Sequence, residues 1–311
     1  LSFLVPLAIP NPSLYHVFMI EIVGFALIFI GGLFVGSFLN VVADRTPKGE
    51  SPLKGRSHCD YCKENLKAKD LVPLLSYMWI KGKCRYCKEK LSIYYPIAEF
   101  LTGLAFVGIA YYLGVFSQAS PLIWLNFAYM ATIISFLIVI LLADIKYKII
   151  PNRVVFPAIF FMLFFMALSF TFIAASSYTQ LKADPFGKYL LEVGYWKDQM
   201  IFLARSLGIT IGTSALLAGF FWFLIWVTKG KGMGGGDVKL AFLIGLINGF
   251  PLSVIAIVMA FLTGAIFSSI LMLFKRKGMK DVIPFGPFLI LGSVTAFIFG
   301  QQIFNWYIAL L

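Results

Sequence analysis

The sequence predicts an all-α polytopic membrane protein: about eight transmembrane helices and one small cytoplasmic loop domain resembling a zinc ribbon. Three observations carry this prediction. The 311-residue chain is 60% hydrophobic and only 13% charged, too apolar for a water-facing globule. Its apolar residues collect in stretches near the roughly 20 residues that a helix needs to cross a bilayer. Its basic residues collect between those stretches, on alternate loops.

The stretches lie at 18–43, 95–113, 122–143, 154–175, 201–227, 238–249, 252–274 and 286–309. The chain opens on Leu1, which suggests trimming, but the first stretch is too long to read as a cleavable signal peptide and is taken as a span. The sixth is short. Gly249 and Pro251 interrupt an otherwise continuous apolar run, so the sixth and seventh are either two spans or one kinked or re-entrant element. No internal repeat or low-complexity tract stands out.

A net charge of +12 raises the question of a nucleic-acid partner, and the distribution of the charge answers it. With the N-terminus outside, 22 of the 26 Lys and Arg residues fall on one side: 12 in 44–94, three in 144–153, three in 228–239 and four in 275–284. That asymmetry is the positive-inside signature, so these loops are expected in the cytoplasm, with the lipid bilayer as partner and no nucleic acid.

All four cysteines lie in the first such loop, as Cys59-Asp60-Tyr61-Cys62 and Cys84-Arg85-Tyr86-Cys87 with 21 residues between. A two-residue spacer lets both sulfurs of a pair reach one metal, and two pairs complete a tetrahedral four-thiolate zinc site. Such a closed shell leaves no position for water, so this zinc would fold the loop rather than catalyse. Two disulfides are the alternative, disfavoured in a reducing compartment. His58 adjoins the first pair as an occasional substitute ligand. Tyr61, Tyr77, Trp79 and Tyr86 are expected to pack around the pairs or at the bilayer interface.

Acids at the ends of apolar spans are costly and call for a reason. Asp144 closes the third span, ahead of Ile150-Pro151-Asn152, and Asp237 opens the sixth, after Gly234-Gly235-Gly236. Although 93 residues apart, they are placed at one depth on one side. Two carboxyls that meet there share a proton, so that one activates water while the other protonates a peptide carbonyl. Gly234, Gly235 and Gly236 would let an extended peptide approach closely. A nucleotide loop is excluded by the lack of a following Lys-Ser/Thr and of a preceding strand. The plain alternative makes both acids interfacial residues paired with Lys146 and Lys239.

These residues resemble the type IV prepilin peptidase family over nearly the whole chain. Gly36-Ser37-Phe38-Leu39-Asn40-Val41-Val42 resembles its opening motif, Cys59 to Cys87 its zinc module, and Asp144 with Ile150-Pro151-Asn152 its first catalytic motif. Gly234-Gly235-Gly236-Asp237 fits its G-x-G-D signature, and Pro284-Phe285-Gly286-Pro287-Phe288 its closing motif. The resemblance implies a bacterial inner-membrane aspartic endopeptidase that removes the basic leader of type IV prepilins or pseudopilins at the cytoplasmic face. It also implies methylation of the new N-terminus with S-adenosylmethionine as donor. The chain would then divide into a first span (1–43), a zinc-binding domain (44–94) and a transmembrane aspartic peptidase domain (95–311). Tyr94-Tyr95-Pro96 stands where an Arg-Tyr-Pro is usual in the family, a departure that bears on the transferase half.

Glu99, just inside the second span, is expected to serve a substrate or donor site or to pair with Arg45 or Lys90. Asn40 and Arg45 would support the transferase half or stabilise a helix end. Gly31, Gly32, Gly36, Gly208 and Gly212 read as helix-packing glycines. Three other functions compete: a broader intramembrane protease sharing the G-x-G-D signature, a proton- or cation-coupled transporter, and a non-enzymatic zinc-bearing scaffold of a secretion system.

Overall fold

The computed structural model describes residues 12–59, 61–117, 120–230, 233–274 and 283–310, with side chains from residue 19 onward. The helices are α1 (Pro12–Arg45), α2 (Leu75–Trp79), α3 (Tyr94–Leu113), α4 (Pro121–Tyr147), α5 (Asn152–Ala183), α6 (Pro185–Glu192), α7 (Tyr195–Val227), α8 (Gly235–Asn248), α9 (Leu252–Leu273) and α10 (Gly286–Ala309). No strand is formed among the described residues; two isolated bridges occur in the cysteine loop. The basic cluster at 275–280 and Gly232 lie outside the described residues.

Every predicted span is a helix, but among the described residues seven helices rather than eight are long and apolar enough to cross a membrane. The exception is α8. Its 14 residues reach about 21 Å at 1.5 Å each, short of the roughly 30 Å of a hydrocarbon core. Gly249, at φ 63°, and Pro251 break the run between α8 and α9. In the opposite sense α5 and α7 exceed their predicted limits, at 32 and 33 residues, because the apolar period runs on into mixed sequence that still favours helix. Between them the short α6 starts at Pro185 and is capped by Asp184, whose carboxylate accepts the Gly187 N–H at 2.9 Å.

The chain forms two compact units, one to Val139 and one from Ile140. In the first, α1 packs on α3, so this unit runs on past residue 94. Glycines permit the close approach: a Cβ on Gly32 would stand 2.8 Å from Gly103 Cα, and one on Gly36 2.8 Å from Glu99 Cα. Gly31, Gly208 and Gly212 have nothing within 4 Å of such a Cβ, so the expected packing role holds for Gly32 and Gly36 alone. Edge-on ring contacts link Phe25, Phe116, Trp124, Phe127 and the buried Phe106 within this unit.

In the second unit the short α8 is the hub. It touches α5, α7, α9 and α10 and buries Leu240, Ala241, Leu243, Ile244 and Leu246. A Cβ on Gly245 would come 2.5 Å from Ser214 Cα, which shows how closely α7 lies against α8. Long helices thus enclose a short one. Apolar side chains such as Phe160, Phe202 and Leu216 stay exposed, as suits surface solvated by lipid.

Candidate active site

Three helix ends build the site around the two aspartates. Asp144 lies in the last turn of α4, where the Lys148 N–H closes on the Asp144 carbonyl at 2.9 Å and Lys148, at φ 55°, ends the helix. Asp237 lies in the first turn of α8, just after the extended Gly234. The third end is the N-terminus of α10 at Gly286.

Helix N-termini present unpaired N–H groups and a positive partial charge, which favours carboxylates beside them. The Gly234 N–H faces the Asp237 carboxyl, and the Gly286 N–H faces that of Asp144. The two carboxyls are electrostatic neighbours, the charge of Asp144 acting directly on Asp237. Both are buried, at 5% and 8% exposure. Asp144 Oδ2 is fully enclosed and has no partner in hydrogen-bonding geometry.

The plain alternative of Lys pairing meets a different geometry. Lys239 Nζ donates to Asn152 Oδ1 at 2.7 Å and lies 5.2 Å from the centre of the Phe156 ring, while Lys146 lies over Tyr147. Gly234 and Gly235 look onto open space, whereas a Cβ on Gly236 would meet Ile150 Cβ at 2.8 Å. Ile150 also reaches the position facing Gly286. It is therefore wedged between the two glycine-led helix starts and fixes their spacing. Sequence reading gave neither Ile150 nor Gly286 a role of its own. A glycine followed by Pro287 at the start of an apolar run was the available signal.

The cysteine loop folds as two matching knuckles. Cys59 N–H donates to Glu64 O at 3.0 Å and Cys84 N–H to Glu89 O at 2.8 Å, and Lys63 and Lys88 take the same left-handed turn. The match corrects the reading that no repeat is present: Cys-x-Tyr-Cys-Lys-Glu-x-Leu occurs at 59–66 and again at 84–91.

The four thiols are free, and their sulfurs lie within 4.8 Å of one another, with Cys59 and Cys87 at 4.0 Å. A tetrahedral thiolate site with metal–sulfur bonds of about 2.3 Å places its sulfurs roughly 3.8 Å apart, so the residues fit such a metal. Burial works against charge on Cys84, but the Cys87 and Tyr86 N–H groups outweigh it and hold this thiol down to about 7, close to the thiolate a metal requires. His58 is outside the cluster. Tyr61 and Trp79 are exposed. Asp70 ties the module together, accepting Arg85 Nε at 2.6 Å, Tyr86 OH at 3.0 Å and Lys67 N–H at 3.1 Å.

Glu99 pairs with neither Arg45 nor Lys90. Its Oε2 accepts the Leu74 N–H at 2.9 Å, with the Ser37 hydroxyl as a second donor. Arg45 instead donates to the carbonyls of Ser51, Lys54 and Arg56, shaping the loop behind α1. Asn40 donates through Nδ2 to the Tyr95 carbonyl at 3.2 Å.

Two family models match this chain: the bacterial peptidase A24 N-terminal domain over residues 30–113, and the type IV leader peptidase family over residues 131–269. The chain is similar to a Bacillus subtilis protein named prepilin leader peptidase/N-methyltransferase, 30% identical over 283 residues, 91% of this chain and 97% of that protein. Proteins of the same name from Stutzerimonas stutzeri and Pseudomonas aeruginosa are 26% and 27% identical, covering 88% and 89% of this chain and 89% and 91% of their own lengths. No solved structure matches. With two family models in chain order and a relative matched almost end to end, the chain belongs to the type IV leader peptidase family.

Proposed function

We propose that the protein is a bifunctional prepilin leader peptidase and N-methyltransferase of the bacterial inner membrane, with Asp144 and Asp237 as the hydrolytic pair. The observation that supports it most directly is the meeting of two buried carboxyls at the starts of α8 and α10. One carboxylate takes a proton from water, which attacks the scissile carbonyl. The partner carboxyl protonates the carbonyl oxygen, and the proton taken from water then passes to the leaving amide nitrogen as the C–N bond breaks. No covalent intermediate is needed.

Substrate enters beside Gly234 and Gly235, where no side chain narrows the approach. Both carboxyls face the cytoplasm, within reach of a basic leader held outside the bilayer, in keeping with the positive-inside loops. Cys59, Cys62, Cys84 and Cys87 would hold zinc, which when bound would supply a fixed crosslink between the knuckles, away from the hydrolytic pair. S-adenosylmethionine is the methyl donor for the second activity.

The test is cleavage of a purified prepilin by the Asp144→Asn and Asp237→Asn proteins. Each substitution keeps the shape and removes the charge, so each should reduce cleavage to background while zinc content is unchanged. Normal cleavage by either variant would exclude the pair.

A further inference from the structure

The short hub helix α8 is held differently from the long helices around it. A spanning helix takes its depth from the match between its apolar length and the bilayer, but α8 covers only about 21 Å of a hydrocarbon core of roughly 30 Å and stops at Gly249. Beyond Asp237 its large buried side chains, Leu240, Leu243, Ile244 and Leu246, are apolar, and their packing has no preferred direction. At its start Lys239 reaches Asn152 through a flexible four-carbon stem. These contacts set the position of α8 along its own axis only weakly.

The far end carries a directional contact. Asn248, in the last turn of α8, donates through Nδ2 to Ser293 Oγ of α10 at 2.7 Å and to the Ile244 carbonyl of its own helix at 3.1 Å. Ser293 is 1% exposed. Beside it, Gly292 meets the Ala256 carbonyl and Ala260 of α9 so closely that no Cβ fits. Backbone contact with α9 thus fixes α10 at this level, and the Asn248 amide ties α8 to that fixed pair. Among the described residues Asn248 Oδ1 is enclosed without a hydrogen-bond partner, as is Ser253 Oγ at the start of α9. Unmet polar groups cost stability, and apolar side chains of the same size would pack at no loss. Stability therefore does not account for the polar contact. Direction does, since a hydrogen bond holds within a narrow range of distance and angle.

Both helices start at the carboxyl pair, α8 with Asp237 and α10 with Gly286 against Asp144, and so run the same way. At 1.5 Å per residue, Asn248 stands about 16 Å along α8 from Asp237, and Ser293 about 10 Å along α10 from Gly286. Two stiff helices joined there hold their starts at one offset. Resting on the peptidase reading, we propose that Asn248 and Ser293 are positioning residues for hydrolysis: their hydrogen bond sets the register of α8 on α10, and with it the reach of Asp237 towards Asp144. Loss of the bond frees α8 to slide by less than one residue, and misplacement near 1 Å slows a reaction on the order of a hundredfold.

Zinc-loaded full-length protein in lipid nanodiscs is compared as wild type, Asn248→Leu, Ser293→Ala, the double variant of these two, and Ser253→Ala. Steady-state cleavage of purified prepilin and thermal unfolding are measured for each. Both single variants and the double should lower kcat about tenfold or more with KM nearly constant. The double should be no slower than the slower single, because one bond is lost only once. It should also unfold at or above the wild-type midpoint, since it removes both polar partners together. Ser253→Ala deletes a buried hydroxyl that bonds no other helix, and should keep the wild-type kcat. Wild-type kcat in both single variants overturns the proposal. So do losses that multiply in the double variant, and so does a double variant whose midpoint falls along with its kcat, which makes the pair a merely structural contact. If a single variant does not fold, the double decides by itself. If Asp144→Asn or Asp237→Asn still cleaves, the peptidase reading fails and the proposal with it; an intact aspartate requirement with unaffected Asn248 and Ser293 variants rejects the positioning role alone.

Discussion

Gly286→Ala is the sharpest test of how the proposed hydrolytic pair is held. The added Cβ would stand 2.5 Å from Asp144 Oδ2, 3.2 Å from its Cγ and 3.5 Å from Ile150 Cδ1. Close carbon–oxygen contacts settle near roughly 3.3 Å, so the carboxyl must yield by about 0.8 Å. What yields is the end of a side chain and not backbone, so the fold should lose little, within the 1–3 kcal/mol or so typical of overpacking. Catalysis should lose more. A misplacement near 1 Å in a reacting group costs on the order of a hundredfold, which corresponds to about 2.7 kcal/mol of barrier. The assay is steady-state cleavage of purified prepilin in lipid nanodiscs, with kcat and KM separated. A large fall in kcat with KM nearly constant is expected. Gly208→Ala serves as control, since nothing lies within 4 Å of its Cβ position, and it should be silent. A Gly286→Ala enzyme with wild-type kcat would refute the placement of the α10 start against Asp144.

Further outcomes follow from the same geometry. Ile150→Ala should also lower kcat, by loosening the wedge between Gly236 and Gly286, and cleavage kinetics will show it. Gly36→Leu should disrupt the α1–α3 contact, because its Cβ meets backbone at Glu99, and should lower the thermal midpoint of the protein, whereas Gly31→Leu should leave it unchanged. Cys59→Ser and Cys84→Ser should each lower bound zinc, measured by mass spectrometry of the purified protein; undiminished zinc would dismiss the four-thiolate site. Asp70 is moved up by burial but further down by the Lys67 N–H, Arg85 and Tyr86, so its carboxyl titrates below its ordinary value. Its contribution to the module is therefore complete above roughly pH 4, the unfolded value, and is lost as pH falls through the lower folded one. With Arg85 more than a third exposed, that contribution is on the order of 1 kcal/mol, and Asp70→Asn should abolish this part of the pH dependence of proteolytic resistance.

Local and periodic properties of the chain were legible without coordinates. Span positions follow from hydropathy, because lipid selects apolar runs of a set length, and the knuckles follow from cysteine spacing, because a two-residue gap fixes how closely two sulfurs can approach each other. Asp144 and Asp237 were legible as a matched pair because span ends define depth. Tertiary structure decided the rest. That the sixth apolar run is a short, enclosed hub depends on which helices surround it, and the length of the run alone left spanning and re-entrant readings open. The α10 start against Asp144, Ile150 between two glycines, the Leu74 N–H on Glu99 and the Asn40 amide on the Tyr95 carbonyl are contacts between residues far apart in the chain. No periodicity encodes them, since a pattern reports which face of a helix is apolar and is silent on which helix end will meet it. The carboxyl pair itself divides along that line: the span ends led to the expectation of a shared depth, and its closeness comes from the end of α4 meeting the starts of α8 and α10.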